Sequence, residues 1–114
     1  MMIVPKSVEQ LQQFIATQEI VVVKYSASWC GPCQVLKPIF EELSVEYAPK
    51  GVKFVEIDVR GDWTEFAIEQ GARQVPYTQI FVKGQLYGFV KGAQAEGIRN
   101  GIESAVQFVR EDSS

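Results

Sequence analysis

The chain has 114 residues, a net charge of −3, and 46% hydrophobic against 22% charged residues; this is the make-up of a single folded domain over 1–114, not of a disordered segment. It contains no histidine, which excludes Ser-His-Asp and Cys-His catalysis and any imidazole-ligated zinc site. Eleven basic residues against fourteen acidic ones leave no basic stripe to neutralise phosphates, so nucleic acid is not an expected partner.

The opening residues, Met1-Met2-Ile3-Val4-Pro5-Lys6, lack a basic stretch followed by an apolar run, and no apolar run approaches the roughly 20 residues that span a bilayer. The expectation is a cytoplasmic, reducing location with no membrane partner. Ile3-Val4 reads as a short strand. Ser7-Val8-Glu9-Gln10 fits a capping box, and Val8, Leu11 and Ile15 then recur at helical spacing, predicting a helix to about Gln18.

Ile20 to Ser26 is β-branched and nearly all apolar, the pattern of a buried, parallel central strand. Lys24 is its one discordant residue. After Trp29-Cys30-Gly31-Pro32-Cys33, the spacing of Val35, Leu36, Ile39, Phe40 and Leu43 predicts a helix to about Tyr47, interrupted by Pro38, which should kink it. Ala48 to Gly51 reads as a turn and Lys53 to Asp58 as a strand.

Asp62-Trp63-Thr64-Glu65 resembles a cap followed by a first-turn carboxylate, with a short helix ended by Gly71. Thr78 to Val82 and Leu86 to Val90 read as strands joined in a hairpin by Lys83-Gly84-Gln85. A last helix carries Ile98, Ile102, Ala105, Val106 and Val109 on one face, and 111–114 is expected to fray. This alternation predicts an α/β domain with parallel βαβ units and a terminal antiparallel hairpin.

Cys30 and Cys33 are the only cysteines. A two-residue spacing closes no useful structural loop, and two thiols do not complete a zinc site in a monomer. Cys30 follows a buried strand at the start of a helix, where unpaired N–H groups and the helix dipole favour a thiolate. Pro32 suits an early helical position, where its missing N–H costs little. Cys33 lies on the first turn, close enough to attack a mixed disulfide at Cys30. The pattern fits dithiol–disulfide exchange by an accessible Cys30 and a buried Cys33. Taken alone, it leaves open incidental cysteines or half of a metal site in a dimer.

Val21-Val22-Val23-Lys24-Tyr25-Ser26-Ala27-Ser28-Trp29-Cys30-Gly31-Pro32-Cys33, followed by Lys37-Pro38, resembles the thioredoxin family. The likeness runs on through Phe54 to Asp58, Val75-Pro76, Phe81-Val82-Lys83-Gly84 and Gly92, covering about residues 3–110. It implies the thioredoxin fold, a central mixed five-stranded sheet flanked by four helices. It implies that Cys30 attacks substrate disulfides, that Cys33 resolves them, and that the two form a redox disulfide. It further implies a cis Pro76 beside the cysteines, with Val75 backbone free to pair with an extended substrate. Trp29, Gly31 and Pro32 would line the docking surface. Gly92 either lets a partner approach or makes a strand-to-helix turn. Trp63 either edges the site or packs in the core.

Three residues depart from the family pattern. Lys24 stands where thioredoxins usually bury an Asp below the resolving cysteine. It either carries its charge out to water or modulates the thiol pKa. Tyr77 follows the proline where Thr is common, and Gln34 replaces the usual Lys after the second cysteine. The function implied is protein disulfide reduction by a monomer without metal or bound cofactor. Oxidised proteins would be its substrates and a flavin-dependent thioredoxin reductase its electron donor. The alternatives are a more oxidising oxidant or isomerase, because of Lys24, and a binding module without turnover.

Overall fold

The structure, a computed structural model, describes residues 2–112. Five strands, β1 (Met2–Ile3), β2 (Ile20–Ser26), β3 (Val52–Asp58), β4 (Tyr77–Val82) and β5 (Gln85–Lys91), alternate with four helices. These are α1 (Val8–Thr17), α2 (Gly31–Tyr47), α3 (Trp63–Glu69) and α4 (Ala95–Asp112). The strands form one mixed sheet in the order β1-β3-β2-β4-β5. Among the described residues this is the expected thioredoxin fold.

β2 is buried on both faces, which its apolar run required. Ile20 and Val22 join the core under α2 and α4, with Leu36, Phe40, Ile98 and Ile102. Val21, Val23 and Tyr25 join the opposite core with Leu11, Phe66 and Tyr77. Alternation along β2 therefore directs Lys24 to the α2 face. The strand is parallel to β3 and antiparallel to β4, so the parallel reading holds on one side only. After β3 the chain stays at the C-terminal end of β2 through α3, so β4 starts opposite Tyr25 and runs back antiparallel, and the hairpin then adds β5.

Local signals met several corrections. β1 is Met2–Ile3, paired with Phe54 and Val55, and stops before Val4 because Pro5 offers no N–H to continue the ladder. Ser7 Oγ accepts from Gln10 N–H at 3.0 Å, but the Gln10 side chain returns to Lys6 N–H at 2.7 Å, one residue upstream of the expected box. Asp62 makes no side-chain cap. Its backbone is already helical, and the first N–H groups of α3 donate to Arg60 and Gly61 carbonyls instead.

Lys83 and Gly84 alone form the hairpin turn, both at positive φ, with Val82 and Gln85 paired across it. That is the two-residue geometry which matches strand twist. α4 extends through Glu111 and Asp112, its end tied by Lys83 Nζ donating to Asp112 Oδ2 at 2.7 Å. Ser113 and Ser114, also expected to fray, lie outside the described residues. α2 runs on through Pro38. No helix among the described residues is long and apolar enough to cross a membrane.

Candidate active site

The chain leaves β2 at Ser26, turns through Ala27 to Trp29, and enters α2 at Gly31. Cys30 is the N-cap of that helix, with extended backbone. Its Sγ accepts from Cys33 N–H at 3.2 Å, so this sulfur occupies the place of a capping oxygen. Pro32 takes the second helical position, where no donor is lost. The spacing holds the Cys30 and Cys33 Cα atoms 5.2 Å apart, and the two sulfurs form a disulfide.

Sequence reasoning expects an accessible Cys30, yet both cysteines are buried, Cys30 at 6% exposure and Cys33 at 2%. The cap conformation folds Sγ back over the first turn, and Ala27, Val59 and Val75 close around the pair. Two influences oppose each other at Cys30. Apolar burial favours the thiol, whereas the cap N–H and the helix N-terminus favour the thiolate.

A second segment meets the cysteines from across the sheet. The Val75–Pro76 peptide is cis. Cys30 Sγ lies 3.5 Å from the Val75 carbonyl oxygen. Val75 precedes β4, so its backbone stands outside the sheet ladder. Gly92 anchors this loop by donating its N–H to the Pro76 carbonyl at 2.9 Å. Its φ of +79° makes the strand-to-helix turn, and a Cβ there would meet nothing within 4 Å. Glycine thus serves the turn and leaves the surface open.

Trp29 is 72% exposed. It lines a cavity of about 240 Å³ with Ile68, Arg73 and Val75. Gly31 and Pro32 are exposed beside it. Trp63 instead packs edge-on to Phe66, ring centroids 5.8 Å apart, on the core side. Tyr77 is buried between Tyr25 and Phe89, its ring 6.0 and 5.9 Å from theirs.

Lys24 does not reach water. It is 1% exposed. Its Nζ lies 3.9 Å from Glu56 Oε2 and 4.9 Å from the centre of the Phe40 ring. Burial lowers its pKa; Glu56 opposes that shift and Lys37 adds to it. Lys24, Glu56 and Cys33 line one cavity of about 250 Å³, together with Lys37 and Asp58. Sequence reasoning did not single out Glu56. Only the β2–β3 register, which sets Lys24 opposite Glu56, reveals the pair. It also missed Arg73, Gln74 and Lys91 around the proline loop. A cavity of about 460 Å³, lined by residues of α1 with Ile3, Pro5 and Val55, has no ionisable side chain and shares no residue with the cysteine cavities.

The thioredoxin family model matches residues 2–104. The chain is 41% identical to human thioredoxin over 91 residues, 80% of this chain and 84% of that protein. It is 40% identical to bovine thioredoxin over the same shares. Among solved structures, thioredoxin from Trypanosoma brucei brucei matches with a TM-score of 0.85 and 26% identity, covering 94% of this chain and 92% of that one. Malassezia sympodialis thioredoxin matches at 0.82 and 32% identity, covering 92% and 93%.

Proposed function

The chain belongs to the thioredoxin family and is a protein-disulfide oxidoreductase, and from that premise we propose that it acts as a reductase of oxidised proteins. The observation that carries this reading is the cysteine pair at the α2 N-terminus, facing the Val75–Pro76 loop. Cys30, as thiolate, attacks one sulfur of a substrate disulfide, and the other sulfur leaves as a thiolate. Cys33 then gives up its proton and attacks Cys30 Sγ. The second substrate thiol is released, and the Cys30–Cys33 disulfide has taken the place of the substrate's. Two electrons have passed to the substrate.

The Val75 backbone, outside the sheet ladder, offers an edge for an extended substrate segment. Trp29, Gly31, Pro32, Pro76 and Gly92 surround that edge. A flavin-dependent thioredoxin reductase returns the two electrons, and the protein works as a cytoplasmic monomer. Lys24 supports a second reading. A buried ammonium on the Cys33 cavity favours thiolates, hence the reduced form, and makes the couple more oxidising than with an Asp there. Insulin reduction with dithiothreitol tests the first reading: turnover well above the uncatalysed rate is expected. No acceleration would leave a binding module. Equilibration of the couple with glutathione separates reductase from oxidant.

A further inference from the structure

The Val75–Pro76 loop lies between two openings. On one side is the cavity beneath Trp29. On the other is a cavity of about 340 Å³, lined by Arg73, Gln74, Pro76, Lys91 and Gly92 among others. Arg73, Gln74 and Val75 belong to both. No carboxylate lines either opening, although the chain as a whole is acidic.

Arg73 and Lys91 are the charged groups there. Both are exposed. Neither takes part in any of the five ion pairs among the described residues, whereas Arg60, Lys83 and Arg99 are each matched to a carboxylate. Their positions are fixed by the fold. Lys91 ends β5 opposite Tyr77, the residue after the proline, and Gly92 N–H bonds the Pro76 carbonyl. Arg73 lies two residues before Val75. A segment running past Val75 toward Cys30 therefore passes between two unpaired cations.

We propose that Arg73 and Lys91 select substrates whose reactive disulfide is flanked by acidic residues. The proposal rests on the disulfide-exchange reading above and names the substrate class for that site. The acidic side chains would fall within about three residues of the substrate cysteine, since an extended chain advances about 3.3 Å per residue. Like charges at those positions would be disfavoured. The effect belongs to encounter and docking, so it is screened by salt.

The test uses the pre-reduced full chain and three peptides of one sequence, each with its cysteine as a mixed disulfide with 2-thiopyridine. The flanking positions carry Asp, Asn or Lys. Attack by Cys30 on the peptide sulfur releases thiopyridone, whose absorbance gives the second-order rate constant. The expected order is Asp over Asn over Lys, with about three- to tenfold between neighbours at low salt and much less at high salt. In the Arg73→Gln, Lys91→Gln double variant the Asp to Lys ratio should fall close to one. Equal rates for the three peptides with the wild type would overturn the proposal. So would a ratio unchanged in the double variant. Failure to release thiopyridone from any of them would overturn the exchange reading itself, and the proposal with it.

Discussion

Lys24 Nζ stands 3.9 Å from Glu56 Oε2, with the lysine side chain 2% exposed and the glutamate 29%. The contact is an ion pair too long for a hydrogen bond, between a cation out of water and a carboxylate partly in it. Glu56 therefore offsets only part of the cost of burying the ammonium, and desolvation remains the larger influence on Lys24.

That imbalance makes stability depend on pH. In the folded chain Lys24 has a pKa below 10.5; in the unfolded chain it returns to the ordinary value. Above about pH 10.5 the side chain is neutral in both states and carries no penalty. As pH falls from 10.5 toward the lower folded value, the unfolded chain takes up a proton that the dry native site does not, and stability is lost; below the folded value both states are protonated and the loss is complete. Lys24→Met should thus be more stable than the wild type at pH 7, by on the order of 1 kcal/mol. The gain should shrink toward pH 10.5. Urea unfolding at the two pH values measures both. A variant less stable at pH 7 would show the ion pair to be net stabilising.

The same charge bears on the thiols. Lys24→Asp sets a second carboxylate beside Glu56 on the cavity that Cys33 lines. The Cys33 thiol pKa should rise, and the redox potential should become more negative. Lys24→Met should fall between. Thiol titration and glutathione equilibration, run side by side, check the pair of effects. No change in either would leave Lys24 a structural residue.

Roles of the cysteines separate on single substitutions. Cys33→Ser should accumulate mixed disulfides between Cys30 and substrate, visible as a mass increase equal to the substrate's. Cys30→Ser should accumulate far fewer, because Cys33 is the more buried residue and is held within the first turn of the helix behind Cys30. Equal trapping by both would reverse or blur the assignment.

Thr78 is fully buried opposite Lys24 in the β2–β4 register, and its Oγ1 has no hydrogen-bond partner among the described residues. A buried hydroxyl without a partner retains its desolvation cost. Thr78→Val keeps the branched shape and removes that cost. An increase of about 1 kcal/mol in unfolding free energy is expected, read from the urea midpoint at unchanged slope.

Much of this molecule was legible in the chain alone. The β-branched run Ile20 to Ser26 had to be a two-sided core strand, and it is. The apolar spacing in 31–47 and 95–112 determined two long helices, because a 3.6-residue period leaves one face to bury. Trp29 to Cys33 placed the reactive pair at a helix start, since only that context makes use of a proline two residues after a capping cysteine. Short-range chemistry carried these conclusions. What the tertiary structure decided depends on register and crossing. Lys24 and Glu56 are 32 positions apart in sequence and meet only because β2 and β3 pair as they do. Arg73 and Lys91 flank one groove because the hairpin returns β5 beside the proline loop. The burial of Cys30 follows from Val59 and Val75, which close over it from two other segments. No local pattern encodes such contacts. They follow from which side chains the sheet brings to one face.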